Sequence, residues 1–549
     1  GFSAGSSFYF HDLAAGLPAL QRGGFGRAVD AYGNETAVQS RNGAGRITDI
    51  RRTGDSGHPW ESYLYAYVSG GANDGMLESV TLRRSTNSGA SWSTVRSTEY
   101  AYYGSSDSNG NLNDLKLATI KDASGTAIDT HYYRYYKDAA GGTGYQGALK
   151  MVFGPQSFAR LSANVGSYQS ASDATIDDYA DQYFEYDGLR RVTKAIRQGE
   201  GCSACTGGVG EDTYAYTSGT GTAVDEWKYK TVETLPDGST VTTYSNPFGQ
   251  PLLQATAPVG SRSGWATGSK YDSDGRLLMM AFPSALTTTS SGTQVIDDGS
   301  SDWYFRSGAG KVKYFDYHAT TTAGSSTPGA VAGYTAEMGI KKGESGSTVP
   351  ISSYQYLSRT IGDFSMFPIG SVVEYPGGGI SSTTTSYSYT WYPGTLQAES
   401  TTVTLPTVSD TRNGSNTTAQ VITFHDRYGR SIWTKDAAGY IHQTTYDNAT
   451  GSVIDRVVDF NTYFHSDAPS GWSMPAGGGL HLTASYGVDA LGRTISIGDF
   501  DGRLTHIVYN DAQHETRVYP GWTGSATTGP TQVIREHRPT GSGQSLYYE

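Results

Sequence analysis

The sequence predicts an all-β fold built from repeated hairpins, and three observations predict it. A short turn phrase recurs along the chain, at a near-constant step in the low twenties in its C-terminal part. Glycine (71) and tyrosine (41) far exceed ordinary usage, a mixture that suits short strands joined by tight turns and disfavours helix. Tyrosines also repeat at every second position, which places them on one face of a strand. At 549 residues the chain is too long for one small domain, whereas a stack of repeats grows with length.

The phrase is an aromatic residue, an Asp, about two free positions, then Gly-Arg and a strand. Tyr271-Asp272-Ser273-Asp274-Gly275-Arg276-Leu277 is one copy. Phe424-His425-Asp426-Arg427-Tyr428-Gly429-Arg430 is another, with one residue inserted. Tyr446-Asp447-Asn448-Ala449-Thr450-Gly451 follows one step after Phe424. Tyr486-Gly487-Val488-Asp489-Ala490-Leu491-Gly492-Arg493 precedes Tyr509-Asn510-Asp511 by nearly the same step, with the shorter Asp499-Phe500-Asp501-Gly502-Arg503-Leu504 between them. Tyr186-Asp187-Gly188-Leu189-Arg190-Arg191-Val192 is a variant with Arg190 where Gly is expected. Such a period holds two strands of ~5–6 residues and two turns, so the unit is a hairpin. Asp opens the turn by accepting bonds from backbone N–H groups ahead of it, and Gly supplies a positive φ. Asp272, Asp426, Asp447 and Asp489 are therefore expected to hold turns rather than metals. In the strand after Gly492-Arg493, Ile495 and Ile497 share one face while Thr494 and Ser496 share the other.

Taken in order, residues 1–180 form a Tyr-rich hairpin region of degenerate repeats. It contains the looser copy Arg41-Asn42-Gly43-Ala44-Gly45-Arg46-Ile47-Thr48 and the period-two sets Tyr63, Tyr65, Tyr67 and Tyr100, Tyr102. Helix signals are confined to about 155–163 and 174–182, a turn or two each. Residues 181–282 form a Tyr-Asp (YD) repeat region with a Cys-x-x-Cys loop and Tyr214, Tyr216. Residues 283–420, rich in Ser, Thr and Gly, read as degenerate hairpins with long loops around Tyr354, Tyr356 and Tyr387, Tyr389, Trp391. Residues 421–549 form a second YD region. Period-two tyrosines stacked across strands are expected to make aromatic ladders, with a row of sugar-stacking platforms as the functional alternative. The final Tyr547-Tyr548-Glu549 parallels Tyr183-Phe184-Glu185, which leads into Tyr186-Asp187. Further repeats, or a strand from a neighbouring subunit, are expected to follow it. The first residue, Gly1, lacks a preceding Met, which points to a removed leader or a longer protein.

The phrases at Tyr271, Phe424, Tyr446, Tyr486 and Tyr509 resemble the Rhs/YD-repeat family. That family includes bacterial polymorphic toxins, shell components of insecticidal toxin complexes, and teneurins. The match covers the C-terminal half densely, residues 180–280 fairly well and the N-terminal part more loosely. The resemblance implies a long hairpin sheet wound as a spiral into a hollow shell, tube or fibre. Closing or spiralling a sheet hides strand edges that would otherwise aggregate, and amphipathic Tyr suits a wall wetted on both sides. A β-propeller is the chief rival fold, but its repeats of ~40–45 residues are twice too long. Many bacterial members end their repeat core with an autocleavage segment containing Asp-Pro and a toxic domain. This sequence contains no Asp-Pro, which tilts the expectation towards structural use.

The function expected is a secreted or cell-surface bacterial scaffold, a fibre, adhesion or shell component, without catalytic residue, cofactor or metal. Its expected partners are itself or further repeats of the same chain. A shell around a C-terminal toxin is the alternative, and a carbohydrate-active β-protein that meets surface glycans is the third reading. A net charge of −12 disfavours nucleic acid. Mean hydropathy of −0.45, with no run near the ~20 apolar residues of a span, disfavours a membrane helix. Cys202 and Cys205 have half the ligands of a zinc site and no second pair, so a local disulfide or two free thiols is expected. Gly142-Thr143-Gly144-Tyr145-Gln146-Gly147 matches a dinucleotide fingerprint but precedes a strand-like stretch instead of a helix, so it reads as a turn. His11, His58, His131 and His442 are scattered, and the pairs Asp272/Asp274 and Asp499/Asp501 lack the rest of a calcium loop.

Overall fold

In the computed structural model, the structure describes residues 7–13, 16–17, 19, 21–30, 34–53, 60–137, 142–198, 209–260, 264–299, 302–377, 382–537 and 547–548. Strand makes up 48% of the described residues and helix 5%, and the strand pairs are antiparallel. Among the described residues, thirty-four strands form one sheet, from Ser7–Phe10 to Tyr547–Tyr548, and each pairs with its neighbours along the chain. Short turns dictate that order, because a strand leaving a tight turn meets the strand it has just left. Two excursions leave the sheet. One is the three-stranded Leu286–Thr287, Gln294–Ile296 and Trp303–Phe305, and the other is the hairpin of Arg359–Ile361 with Phe364–Met366.

The chain divides into two compact units. Unit 1 comprises residues 1–183, 389–402 and 420–549, so it unites the first and last parts of the sequence. Unit 2 comprises residues 184–388 and 403–419. Buried cores occur where insertions lie on the sheet. In unit 1, helix Pro155–Asn164, begun by Pro at its first turn, and the short helical turns Asp173–Ile176 and Asp177–Tyr179 cover Tyr103, Tyr132, Met151 and Phe153. The second helical stretch is shorter than the sequence suggests, since Gln182 already begins strand Gln182–Tyr186. The loop between strands Val453–Val458 and Leu482–Val488 buries Phe460 against Trp433, Ile441 and Val457. In unit 2, the 282–310 excursion packs Leu286, Ile296, Trp303 and Phe305 on Tyr244, Leu252, Leu253 and Val312.

Elsewhere whole strands are half-buried on both faces, as in Leu115–Lys121. All five residues of Thr494–Gly498 are half-buried, so the alternation of Ile495 and Ile497 with polar neighbours does not separate a core face from a water face. Among the described residues, no helix is long and apolar enough to cross a membrane.

Candidate functional site

The YD turns are the recurrent feature that the sequence singles out, and their geometry is the same in each full copy. At Asp272 the backbone N–H donates to the carbonyl of Arg276 (2.9 Å), and Gly275 N–H donates back to the carbonyl of Asp272 (3.0 Å). The Asp272 carboxylate then fills the turn. Its Oδ1 accepts the N–H groups of Asp274 (3.0 Å) and Arg276 (2.9 Å), and its Oδ2 accepts Arg276 Nε (2.6 Å). Gly275 has φ +79°, the left-handed region in which a side chain is strained. Asp426 with Arg430, and Asp489 with Arg493, repeat every one of these bonds. Asp187 does so with Arg191, and Arg190 takes the glycine position at φ +66°. Asp447 makes a turn one residue longer, closing on Ser452 with Gly451 at positive φ.

A second set of contacts joins successive hairpins. The turn arginine lies over a tyrosine at the end of a later strand: Arg191 over Tyr216 (4.3 Å), Arg276 over Tyr317 (5.1 Å), Arg430 over Tyr446 (4.4 Å) and Arg493 over Tyr509 (4.3 Å). Each tyrosine hydroxyl donates to the carbonyl of the residue directly after that arginine: Val192 (2.6 Å), Leu277, Ser431 and Thr494 (3.0 Å each). One guanidinium thus pairs with its own turn's carboxylate and stacks on the neighbouring hairpin's ring. We call this Asp–Arg–Tyr arrangement a clasp.

The clasp corrects three readings. Tyr67, Tyr102, Tyr216 and Tyr356 each end a Tyr-x-Tyr set, and their hydroxyls bond to carbonyls of the preceding strand (2.6–2.9 Å), with Arg46 over Tyr67 as Arg191 is over Tyr216. Tyr356 packs edge-to-face on Tyr334 as well (5.1 Å). Phe424 and Tyr486 do not stand beside their Asp. A shift of register puts His425 and Val488 at the position of Tyr271, and Phe424 packs on Trp472 instead (5.6 Å). After Tyr509, Asp511 begins a 3₁₀ turn with His514 at positive φ, and its carboxylate receives Arg493 (2.6 Å) and Arg96 (2.8 Å). Other turns share this geometry: the looser copy at Asn42–Arg46, and Asp122–Thr126, Asn246–Gln250 and Asp436–Tyr440, which escaped the phrase. Asn does the work of Asp at two of them, and Arg is absent from three. A search for Asp/Asn-x-x-Gly without the arginine would have found them.

Within unit 1 the last part of the chain meets the first through turn tips. Tyr428 donates its hydroxyl proton to Asp30 Oδ2 (2.7 Å) and accepts Asn34 Nδ2 (2.7 Å), and His514 Nε2 lies 3.2 Å from the Ile128 carbonyl. Unit 1 also holds a cleft of about 660 Å³ lined by Arg84, Ser93, Thr94, Asp447, Leu491 and Arg493. Unit 2 holds a cleft of about 540 Å³ beside Trp227, Asp225, Glu226, Asp297 and Asp298. Lys230 and the Tyr244 hydroxyl occupy Asp298, and three bonds from Thr222 and Ala223 occupy Glu226. Among the described residues, no group of three or more His, Cys, Asp or Glu is arranged to hold a metal ion. His442 faces Asp436 at 3.4 Å, and His131 stacks on Tyr133. Gly147 ends a turn before strand Leu149–Phe153. Cys202, Cys205 and His58 lie outside the described residues.

No family model matches the chain, and no curated protein matches it by sequence. Among solved structures, the crystal structure of TcdB2-TccC3-Cdc42 matches 93% of this chain with a TM-score of 0.50 at 10% identity. The chain has the fold of a TcdB2-TccC3 segment. It spans 21% of the matched chain's length. TcdB2-TccC3-TEV matches over the same 93% with a TM-score of 0.49 at 11% identity, and the Photorhabdus luminescens Tc holotoxin pore over 87% with 0.28 at 10%. At the level of fold, the YD-repeat resemblance read from the turn phrases is borne out.

Proposed function

We propose that this chain is a stretch of YD-hairpin wall, a non-catalytic scaffold in a secreted or cell-surface bacterial protein. The observation that carries the reading is one long antiparallel sheet whose buried clusters, among the described residues, lie where insertions pack on it. A catalytic domain concentrates its residues around one core and one pocket. Here the most repeated chemistry, the clasp, is spent on joining hairpin to hairpin. The repeat residues from Tyr186 and Asp187 to Tyr509 are assigned this structural role, densest in residues 181–282 and 421–549.

A wall needs something to enclose or display. The likeness to a TcdB2-TccC3 segment favours a shell around a C-terminal cargo as the second reading. A reporter peptide carrying a protease site, fused after Glu549, separates the two uses. Enclosure predicts a reporter resistant to protease until the protein is denatured. Cleavage at the rate of the free peptide supports an open structural or adhesive element and rejects enclosure.

A further inference from the structure

The insertion between strands Val453–Val458 and Leu482–Val488 is closed on itself by two histidines. The rings of His465 and His481 stack with centres 4.1 Å apart and planes within 10° of parallel, and both lie against Phe460, at 5.5 Å and 4.9 Å. His481 also ties the base of the insertion. Its backbone N–H donates to the Asp459 carbonyl (2.8 Å), and its ring Nδ1 accepts the backbone N–H of Asn461 (3.2 Å). That second bond fixes the state of the ring: an amide N–H only donates, so Nδ1 keeps its lone pair and the ring is neutral. Two charged groups act on His481 from within the insertion, His465 against the imidazolium and Asp467 in its favour. The Asp459 carboxylate is taken up by the N–H groups of Gly479 (2.7 Å) and Leu480 (2.9 Å). On the strands beneath, Trp433, Ile441 and Val457 present an apolar surface, Asp455 stands on the same side of its strand as Val457, and His442 faces Asp436.

We propose that the stacked pair His465–His481 is an acid-sensitive latch that holds this insertion on the sheet and releases it as pH falls. A proton taken up by His481 goes to Nδ1, so the bond from Asn461 is lost and two donors face each other. Protonation of His465 as well sets two cations ring to ring. Opening adds Phe460 to the apolar side chains that the insertion already shows to water, Tyr463 (80% exposed), Phe464 (77%) and Leu480 (71%). Burial lowers the His481 pKa, and His465 adds to that shift against Asp467. A folded value below the unfolded one of about 6.5 leaves the latch fully closed above pH 6.5, and its stability is lost as pH falls from there towards the folded value. The device lies apart from the clasps and does not depend on the scaffold reading.

The test is amide exchange of the full chain between about pH 7.5 and about pH 5, corrected for the intrinsic pH dependence of exchange and read on peptides covering residues 459–481. In the unaltered chain those peptides are expected to exchange about fivefold faster at the acid end, while unit 2 stays constant. His481→Asn is the sharpest variant. Asparagine tolerates the left-handed backbone that His481 adopts (φ +50°), and its Oδ1 accepts the Asn461 N–H without titrating. This variant should keep the protection seen at pH 7.5 and lose the acid response. His465→Gln removes the second charge and should move the response to lower pH, and it decides the matter if His481→Asn does not fold. Equal corrected exchange at both ends of the pH range in the unaltered chain overturns the proposal. So does an acid response that survives unchanged in His481→Asn, or one whose midpoint is the same in His465→Gln.

Discussion

Arg190 stands where Gly275, Gly429 and Gly492 stand in the other full turns, and it adopts their left-handed backbone at φ +66°. For a residue with a Cβ that conformation costs about 1–2 kcal/mol. Arg190→Gly is therefore expected to stabilise unit 2 by up to about 1 kcal/mol in urea unfolding, despite the extra freedom glycine has when unfolded. The clasp carboxylates make a second prediction. In Asp187, bonds from the Arg191 backbone and guanidinium lower the pKa. In Asp272 and Asp489 burial pushes the other way, and the backbone and side chain of Arg276 and Arg493 outweigh it. A folded pKa below the unfolded value of about 3.9 gives stability that is present above that value and lost as pH falls through the lower, folded one. The melting temperature should hold down to about pH 4 and fall steeply below it. Asp489→Asn should flatten that fall, and an unchanged profile would show that the carboxylate contributes nothing.

Insertions and hairpins behave as different kinds of element. Phe460 fixes the insertion between strands Val453–Val458 and Leu482–Val488, packing edge-to-face on Trp433 at 4.8 Å and against His481 at 4.9 Å. Phe460→Ala is expected to cost about 3–5 kcal/mol. Amide exchange should accelerate at Ser431–Lys435 and Ile441–Tyr446, and unit 2 should exchange as before. Acceleration throughout the chain would show that the two units unfold as one. The hairpins were legible in the sequence because turn chemistry is local: Asp272 and Gly275 lie within one turn and define it between them. The clasp was not legible, because Arg276 and Tyr317 are joined only once the 282–310 excursion is folded away between them. The cores were hidden for a related reason. Leu286, Ile296, Trp303 and Phe305 fall in a Ser/Thr/Gly-rich stretch without helical or strand periodicity, and only their landing on Leu252 and Leu253 gives them a common face. The exchange of Tyr271's place for His425 and Val488 shows a limit of the phrase itself. The Asp and the Gly fix the turn, and the residue before the Asp only has to cross a bulge.

At the scale of the whole molecule, strands that pair with their neighbours along the chain are held by clasps that reach the next hairpin, so order accumulates by nearest neighbours as it does in other repeat proteins. The proposed wall would grow in this way without a central core, and its tyrosines, half-buried with bonded hydroxyls, would suit water on both faces. Small-angle X-ray scattering on the purified chain tests this most directly. A solid globule of 549 residues would have a radius of gyration of about 24 Å. A folded wall predicts a value well above that, with the bell-shaped Kratky profile of a structured protein, while a radius matching the solid globule, with the scattering of a filled sphere, would contradict the account.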